Sequence, residues 1–95
     1  MRYTFTASAL IEIKNAVFPT TITINTDNGV LTIKEPTLFG GKETCLNLSK
    51  ISINIETFIL FSNVIIETSG GKTYQLNGFH RHDAEKILEI YSKEH

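Results

Sequence analysis

The sequence predicts a mainly β (α+β) protein in which an antiparallel meander of about seven short strands is followed by one C-terminal helix. Isoleucine, valine and threonine supply 28 of the 95 residues, and their branched side chains favour extended backbone because they pack well on a pleated surface. Apolar and polar residues alternate through most of the chain, as in strands with one wet face and one buried face. Near the C-terminus the period changes to that of a helix.

The strands are predicted at hairpin spacing. The strongest signal is the stretch Thr21–Asn25, whose alternation leads into Asp27-Asn28-Gly29 and resumes at Leu31, because two alternating runs around Asn-Gly are typical of a β-hairpin. Pro36 is expected to end the second strand of this hairpin. The other strands are predicted at residues 11–14, around residues 46–48, and at 51–55, 64–68 and 73–77.

A helix is predicted for the last segment because four apolar residues follow the spacing i, i+3, i+4 and i+7. Glu89 and Lys93 form a favourable i,i+4 pair on its polar side. A sheet with one apolar face must curl to bury that face, so we expect an antiparallel barrel or sandwich closed by this helix. The apolar residues that give the helix its i, i+3, i+4, i+7 spacing are Ala84, Ile87, Leu88 and Tyr91.

Composition and charge restrict the class of protein. Residues 1–95 are expected to form a single domain. The formal net charge is −1 and the nine basic residues are scattered singly, which argues against nucleic acid as a partner and gives no support for an anionic membrane. A single cysteine, Cys45, can form neither an internal disulfide nor a zinc site, which fits a reducing cytoplasm. Glu12 and Lys14 interrupt any export signal, and no apolar run is long enough for a membrane span.

Two stretches, GGKETCLN at residues 40–47 and GGKTYQLN at 70–77, share five of their eight letters. The second contains Gly-Lys-Thr, the end of a nucleotide-binding P-loop, but that motif needs a glycine five positions before its Gly-Lys, followed by a helix. Those positions hold Ile66 and Pro36, and both stretches lead into strand-like sequence. The nucleotide-binding interpretation therefore fails.

The repeat is better explained as two equivalent second strands of hairpins. Paired glycines supply positive φ at low cost, and a lysine at a strand start stays wet and discourages edge pairing. We therefore expect Lys42 and Lys72 to be exposed at the start of strands, with Leu46 and Leu76 in the core.

The cluster His80-Arg81-His82-Asp83 lies at the predicted junction of a strand and the helix. Two histidines separated by two positions lack the i,i+4 spacing of helical metal ligands, so no metal is predicted. His80 is expected to cap the helix, with Asp83 returning the bond and Phe79 packing beneath. A weak anion site formed by His80 and Arg81 at the helix N-terminus is the alternative.

No catalytic chemistry is predicted. Cys45 has no base near it in the sequence, and a small buried hydrophobe is the common role of such a thiol. The chain lacks a Gly-x-Ser-x-Gly elbow, and its acidic residues are spread along it. The sequence therefore predicts a protein that is not an enzyme and that holds no cofactor.

Four consecutive large apolar residues, Phe58, Ile59, Leu60 and Phe61, stand between two predicted strands. An alternating strand can bury only half of them, and a hairpin loop should be polar. If the run is a loop or an edge, its exposed apolar surface indicates an interface. If instead the strand is longer, it is buried on both faces. The segment at residues 16–19 raises the same question.

Residues 20–92 resemble small bacterial pleckstrin-homology-like (PH-like) domains. The resemblance is carried by a glycine-containing turn after Leu38 and Phe39, a Leu-Ser-Lys-Ile start of the fifth strand, the IIET-glycine hairpin, and the closing helix with DAEKILEIY. It implies a PH-like barrel or sandwich. Similar domains often form rings or other homo-oligomers, so the resemblance favours self-association.

The sequence thus predicts a non-catalytic binding or assembly module that contacts a second copy of itself or another protein through residues 58–61. The alternative is a module that binds a lipid or phosphoinositide headgroup, as eukaryotic relatives of the fold do through basic residues near the first hairpin. Here that hairpin carries Asp27 and no lysine or arginine.

Overall fold

The computed structural model describes residues 1–8, 19–38 and 40–94. Within them, seven antiparallel strands form two sheets, and a helix follows the last strand. The first sheet has the order β1-β2-β3-β4, with β1 (Arg2–Thr6), β2 (Thr21–Asn25), β3 (Val30–Thr37) and β4 (Gly40–Asn47). The second has the order β5-β6-β7, with β5 (Ile51–Thr57), β6 (Phe61–Thr68) and β7 (Thr73–His80). The 3-10 turn Leu48–Lys50 joins the sheets, and helix α1 spans Arg81–Glu94. The mainly β class with a C-terminal helix is confirmed.

The two sheets and α1 enclose one apolar core. The sheets are not joined into a closed barrel over the described residues, but a backbone hydrogen bond ties them together at one corner. The Ser8 N–H, just after β1, donates to the Gly78 carbonyl of β7 at 2.8 Å. The Leu48 N–H donates to the Gly29 carbonyl at 2.9 Å and continues the β3–β4 pairing into the 3-10 turn. Apolar side chains with no exposed surface come from both sheets and the helix: Ile22, Ile24, Leu31, Ile33, Val64, Ile66, Phe79, Ala84 and Ile87.

The β2–β3 hairpin forms where the Asn-Gly signal predicts it. Gly29 adopts a φ of +68°, and the Asn28 side-chain oxygen accepts a hydrogen bond from the Val30 N–H at 3.2 Å. β3 nevertheless continues through Pro36 to Thr37, so the predicted strand end is wrong. The pairing of β2 with β3 ends at Thr21 and Lys34. At Pro36, β3 is therefore paired with β4 but no longer with β2. A proline is tolerated there because its missing N–H is not required for pairing with β2.

Two of the four residues of the predicted stripe are buried, and the other two, Leu88 and Tyr91, are partly buried against the core. Ala84 and Ile87 are fully buried, and Ile90 joins them in the core. The predicted pair is also present, with Lys93 Nζ 3.1 Å from a carboxylate oxygen of Glu89. The hydrogen bond from Lys93, together with the charges of Lys86 and Lys93, lowers the pKa of Glu89.

One strand was not predicted, and the expectation for Cys45 is wrong. The first described strand is Arg2–Thr6, which the sequence did not single out, whereas the strand predicted at residues 11–14 lies outside the described residues, as do residues 16–18. Cys45 is exposed rather than buried. It lies on β4, at the edge of the first sheet, and faces Thr32 on the polar side, where a side chain does not reach the core.

Both glycine-lysine stretches form strands after a turn, as predicted. GGKETCLN is the whole of β4, whereas in GGKTYQLN the glycines and lysine form the turn and β7 begins at Thr73. Lys42 and Lys72 are exposed, Leu76 is buried, and Leu46 packs against the core while partly buried. The two stretches therefore share the strand but differ in where it begins: at the first glycine in β4, and after the lysine in β7.

Candidate functional site

The apolar run at residues 58–61 forms the tip of the β5–β6 hairpin. β5 ends at Thr57 and β6 begins at Phe61, so the run is mostly a loop and not part of a longer buried strand. The side chains of Ile59, Leu60 and Phe58 are 86%, 74% and 45% exposed, respectively, and Phe61 is half-buried. We call these four residues the apolar tip.

The apolar tip has a defined shape. The Phe58 and Phe61 rings stack with centroids 4.8 Å apart and an interplanar angle of 21°, an arrangement that stabilises an aromatic pair beyond its buried area. The Phe58 N–H donates a 2.8 Å hydrogen bond to the Phe61 carbonyl, which closes the turn. The stacked rings therefore form the base of the hairpin end, and the side chains of Ile59 and Leu60 project from it.

Arg81 connects the start of α1 to the apolar tip. Its Nη1 donates a hydrogen bond to the Ile59 carbonyl at 3.3 Å, and its side chain lines an open groove of about 730 Å³ together with residues 57–61. The contact arises because Phe61 on β6 pairs with His80, the last residue of β7. The register of β6 and β7 thus brings the helix N-terminus beside the hairpin end.

The predicted anion site at His80 and Arg81 is placed beside the apolar tip. His80 directly precedes α1, the position that a capping residue occupies, and its side chain is exposed. Over the described ranges its imidazole makes no hydrogen bond, so the capping interaction is not formed. Arg81 is directed to a carbonyl oxygen. Phe79, expected beneath the helix, is fully buried.

We expect Arg81→Gln to loosen the tip without unfolding the protein. The change removes one exposed hydrogen bond, so the free energy of unfolding should fall by less than about 1 kcal/mol. Hydrogen exchange at the Phe58 amide should become faster, because Arg81 no longer holds the carbonyl of the turn. His82→Gln, at an exposed position one residue further along, is the control. Equal exchange in Arg81→Gln and the wild type would contradict the role of Arg81.

A second group of side chains meets at the opposite end of β6, and the sequence did not predict it. Lys42 Nζ lies 6.0 Å and Lys72 Nζ 4.9 Å from the centroid of the Tyr74 ring. Lys42 follows the β3–β4 turn and Lys72 belongs to the β6–β7 turn, so side chains from both sheets meet at this ring. We call Lys42 and Lys72 the lysine pair. The repeated Gly-Gly-Lys was the available signal, but sequence alone does not show that the two lysines approach the same tyrosine.

The described residues contain neither a metal-ligand cluster nor a membrane-spanning helix. Within the described residues, no three His, Cys, Asp or Glu side chains come together to hold a metal ion. Over the same part of the chain, no helix combines the length and the apolar composition of a membrane span. Neither a scan against protein-family models nor a search of curated proteins gives a match for this chain.

Proposed function

We propose that this chain is a non-catalytic PH-like assembly module that binds a second copy of itself through the apolar tip, in the cytoplasm. The order of seven antiparallel strands in a four-stranded and a three-stranded sheet, with a helix after the last strand, supports the PH-like assignment. The observation that carries the functional proposal is the exposure of three consecutive large apolar side chains on one hairpin.

The chemistry of the tip suits a protein contact. Aromatic residues and arginine are enriched in interfaces and among the residues that dominate binding energy. Here two stacked phenylalanines and Arg81 surround two exposed aliphatic side chains. Because hydrogen bonds already hold the turn in shape, association would cost less conformational entropy than for a loose loop.

We favour a second copy of the chain as the partner. The tip is apolar at its end and has only the Arg81 guanidinium beside it, so it offers no pattern of charges that would select a strongly charged partner. The contact is expected to be weak. A stable interface buries about 800 Å² on each partner, and one hairpin end with three exposed side chains supplies only part of that area. We therefore expect association at tens of micromolar, on the order of the affinities of small interfaces.

The oligomeric state of the wild type, Phe58→Ser/Leu60→Ser and Leu38→Ser tests this proposal. Leu38 is the matched control because it is as exposed as Leu60, at 74%, and lies on the β3–β4 turn. Light scattering after size exclusion should give an oligomer for the wild type and Leu38→Ser, and a monomer for the double variant. A monomeric wild type at tens of micromolar would overturn the proposal, as would equal dissociation of Leu38→Ser.

A further inference from the structure

The chain contains two Asn-Gly sequences, Asn28-Gly29 in the β2–β3 turn and Asn77-Gly78 on β7. An asparagine before glycine can lose its side-chain amide without an enzyme, because the glycine has no side chain to hinder attack by its backbone nitrogen on the asparagine carbonyl carbon. By sequence the two pairs are equivalent. The structure separates them, because the attacking nitrogen has different surroundings in the two places.

At the β2–β3 turn the attacking nitrogen is unoccupied and open to water. Over the described ranges, the Gly29 N–H donates no hydrogen bond. The Asn28 side chain is exposed. A Cβ built on Gly29 would meet no atom of the described residues within 4 Å, so the space beside the turn is free for solvent.

The Asn28 side chain is also held in place for the reaction. Its Oδ1 accepts a 3.2 Å hydrogen bond from the Val30 N–H, which keeps the side-chain amide over the backbone of Gly29, the residue between them. When the Gly29 nitrogen attacks, negative charge develops on this same oxygen. An N–H group already directed at that oxygen stabilises the charge. The hydrogen bond that shapes the turn therefore also favours loss of the amide.

Asn77 lies in the opposite situation. The Gly78 N–H donates a 3.3 Å hydrogen bond to Asn63 Oδ1 in buried surroundings, and the Gly78 carbonyl accepts from the Ser8 N–H. The Asn77 Oδ1 accepts from Gln75 Nε2 at 3.1 Å. The Gly78 nitrogen can attack only after its hydrogen bond breaks and this part of β7 opens locally.

We propose that Asn28 is a site of spontaneous deamidation, with water as the co-reactant. The Gly29 nitrogen loses its proton to a base and forms a bond to the Asn28 side-chain carbonyl carbon. The bond from that carbon to the amide nitrogen breaks, and the nitrogen leaves as ammonia with the proton returned to it. Water then opens the resulting succinimide ring and leaves aspartate or isoaspartate. No electron is transferred, and the chain gains one negative charge beside Asp27. The site goes beyond the proposed assembly function and lies on the other sheet from the apolar tip.

Incubation of the wild type in mildly alkaline water enriched in heavy oxygen tests the site. The protein is then digested in ordinary water, so that label found by peptide mass spectrometry marks only the conversions during incubation. In the folded protein we expect label at Asn28 to accumulate about tenfold or more faster than at Asn77, because a buried hydrogen bond must break before Asn77 reacts. Equal rates, or faster labelling of Asn77, would overturn the proposal.

The same incubation in guanidinium chloride is the matched control, because unfolding removes every contact that distinguishes the two asparagines. Both should then be labelled at similar rates. Asn28 labelled in the unfolded chain but not in the folded protein would overturn the proposal, since the turn would then protect the amide.

Asn28→Ser is the control variant, because serine keeps a hydroxyl oxygen at the turn but has no amide to lose. Its turn peptide should carry no label, while labelling of Asn77 should stay as in the wild type. Label in that peptide would overturn the assignment, because Asp27 would then be the residue that takes up oxygen. On anion exchange, a more acidic species should grow with time in the wild type and about tenfold more slowly in Asn28→Ser. The same growth in both would also overturn the site.

Discussion

Phe79→Ala is expected to lower the free energy of unfolding by about 3–5 kcal/mol, the usual range for truncation of a buried phenylalanine. Phe79 has no exposed surface and is the largest of the fully buried side chains. It is in register with Ser62 on β6 and directly precedes the β7–α1 junction. The loss would remove much of the total stability of a small domain, which is about 5–15 kcal/mol. Urea unfolding followed by circular dichroism measures it.

Phe58→Ala is the matched control for that prediction, because the same atoms are removed from a side chain that is 45% exposed. Its loss should be about 1 kcal/mol, mainly the ring stacking with Phe61. Equal destabilisation by the two changes would contradict the division between core and tip, since it would mean that residues 58–61 support the core.

Gly41→Ala is expected to destabilise the protein by about 3 kcal/mol or more, through backbone strain and a steric clash together. Gly41 has a φ of +119°. A Cβ there would lie 2.6 Å from the Cα of Pro36 and 2.7 Å from the carbonyl oxygen of Glu35. Both neighbours are backbone atoms of the paired strand β3, so neither can move aside cheaply.

Gly40→Ala separates the two causes. Gly40 has nearly the same φ, +123°, but a Cβ there meets no atom of the described residues within 4 Å. It should therefore cost only the strain, about 1–3 kcal/mol. Thermal and urea unfolding of the two variants should show Gly41→Ala as clearly the less stable. Equal midpoints would show that the approach of Gly41 to Pro36 is not a tight contact in solution.

Local chemistry made part of the fold predictable. The β2–β3 hairpin is specified by Asn28-Gly29 and by alternation on both sides, and the helix by one apolar stripe; these signals lie within a few residues of each other. The strand end predicted at Pro36 was wrong because β3 can continue through a proline once its pairing with β2 has ended. The position where that pairing ends is set by the whole sheet and not by the local sequence. β1 was missed because only Tyr3 and Phe5 mark its alternation.

The two candidate sites were predictable to different degrees. The apolar run was visible in the sequence, because a loop between two strands is usually polar and this one has four large apolar residues. Its exposure depends on where β6 begins, which the sequence did not show. The contact of Arg81 with Ile59 joins residues 22 positions apart and follows from the register of β6 and β7. The meeting of Lys42, Lys72 and Tyr74 depends on how two separate sheets pack, which no local pattern specifies.

The exposed position of Cys45 gives the chain a natural attachment point for a probe. It is the single cysteine of the sequence, and it lies on the edge strand of the first sheet, whereas the apolar tip belongs to a hairpin of the second sheet. One spin label or fluorophore can therefore be attached per molecule without any substitution. In an assembly, the spacing between such labels on neighbouring copies would report the geometry of the packing directly.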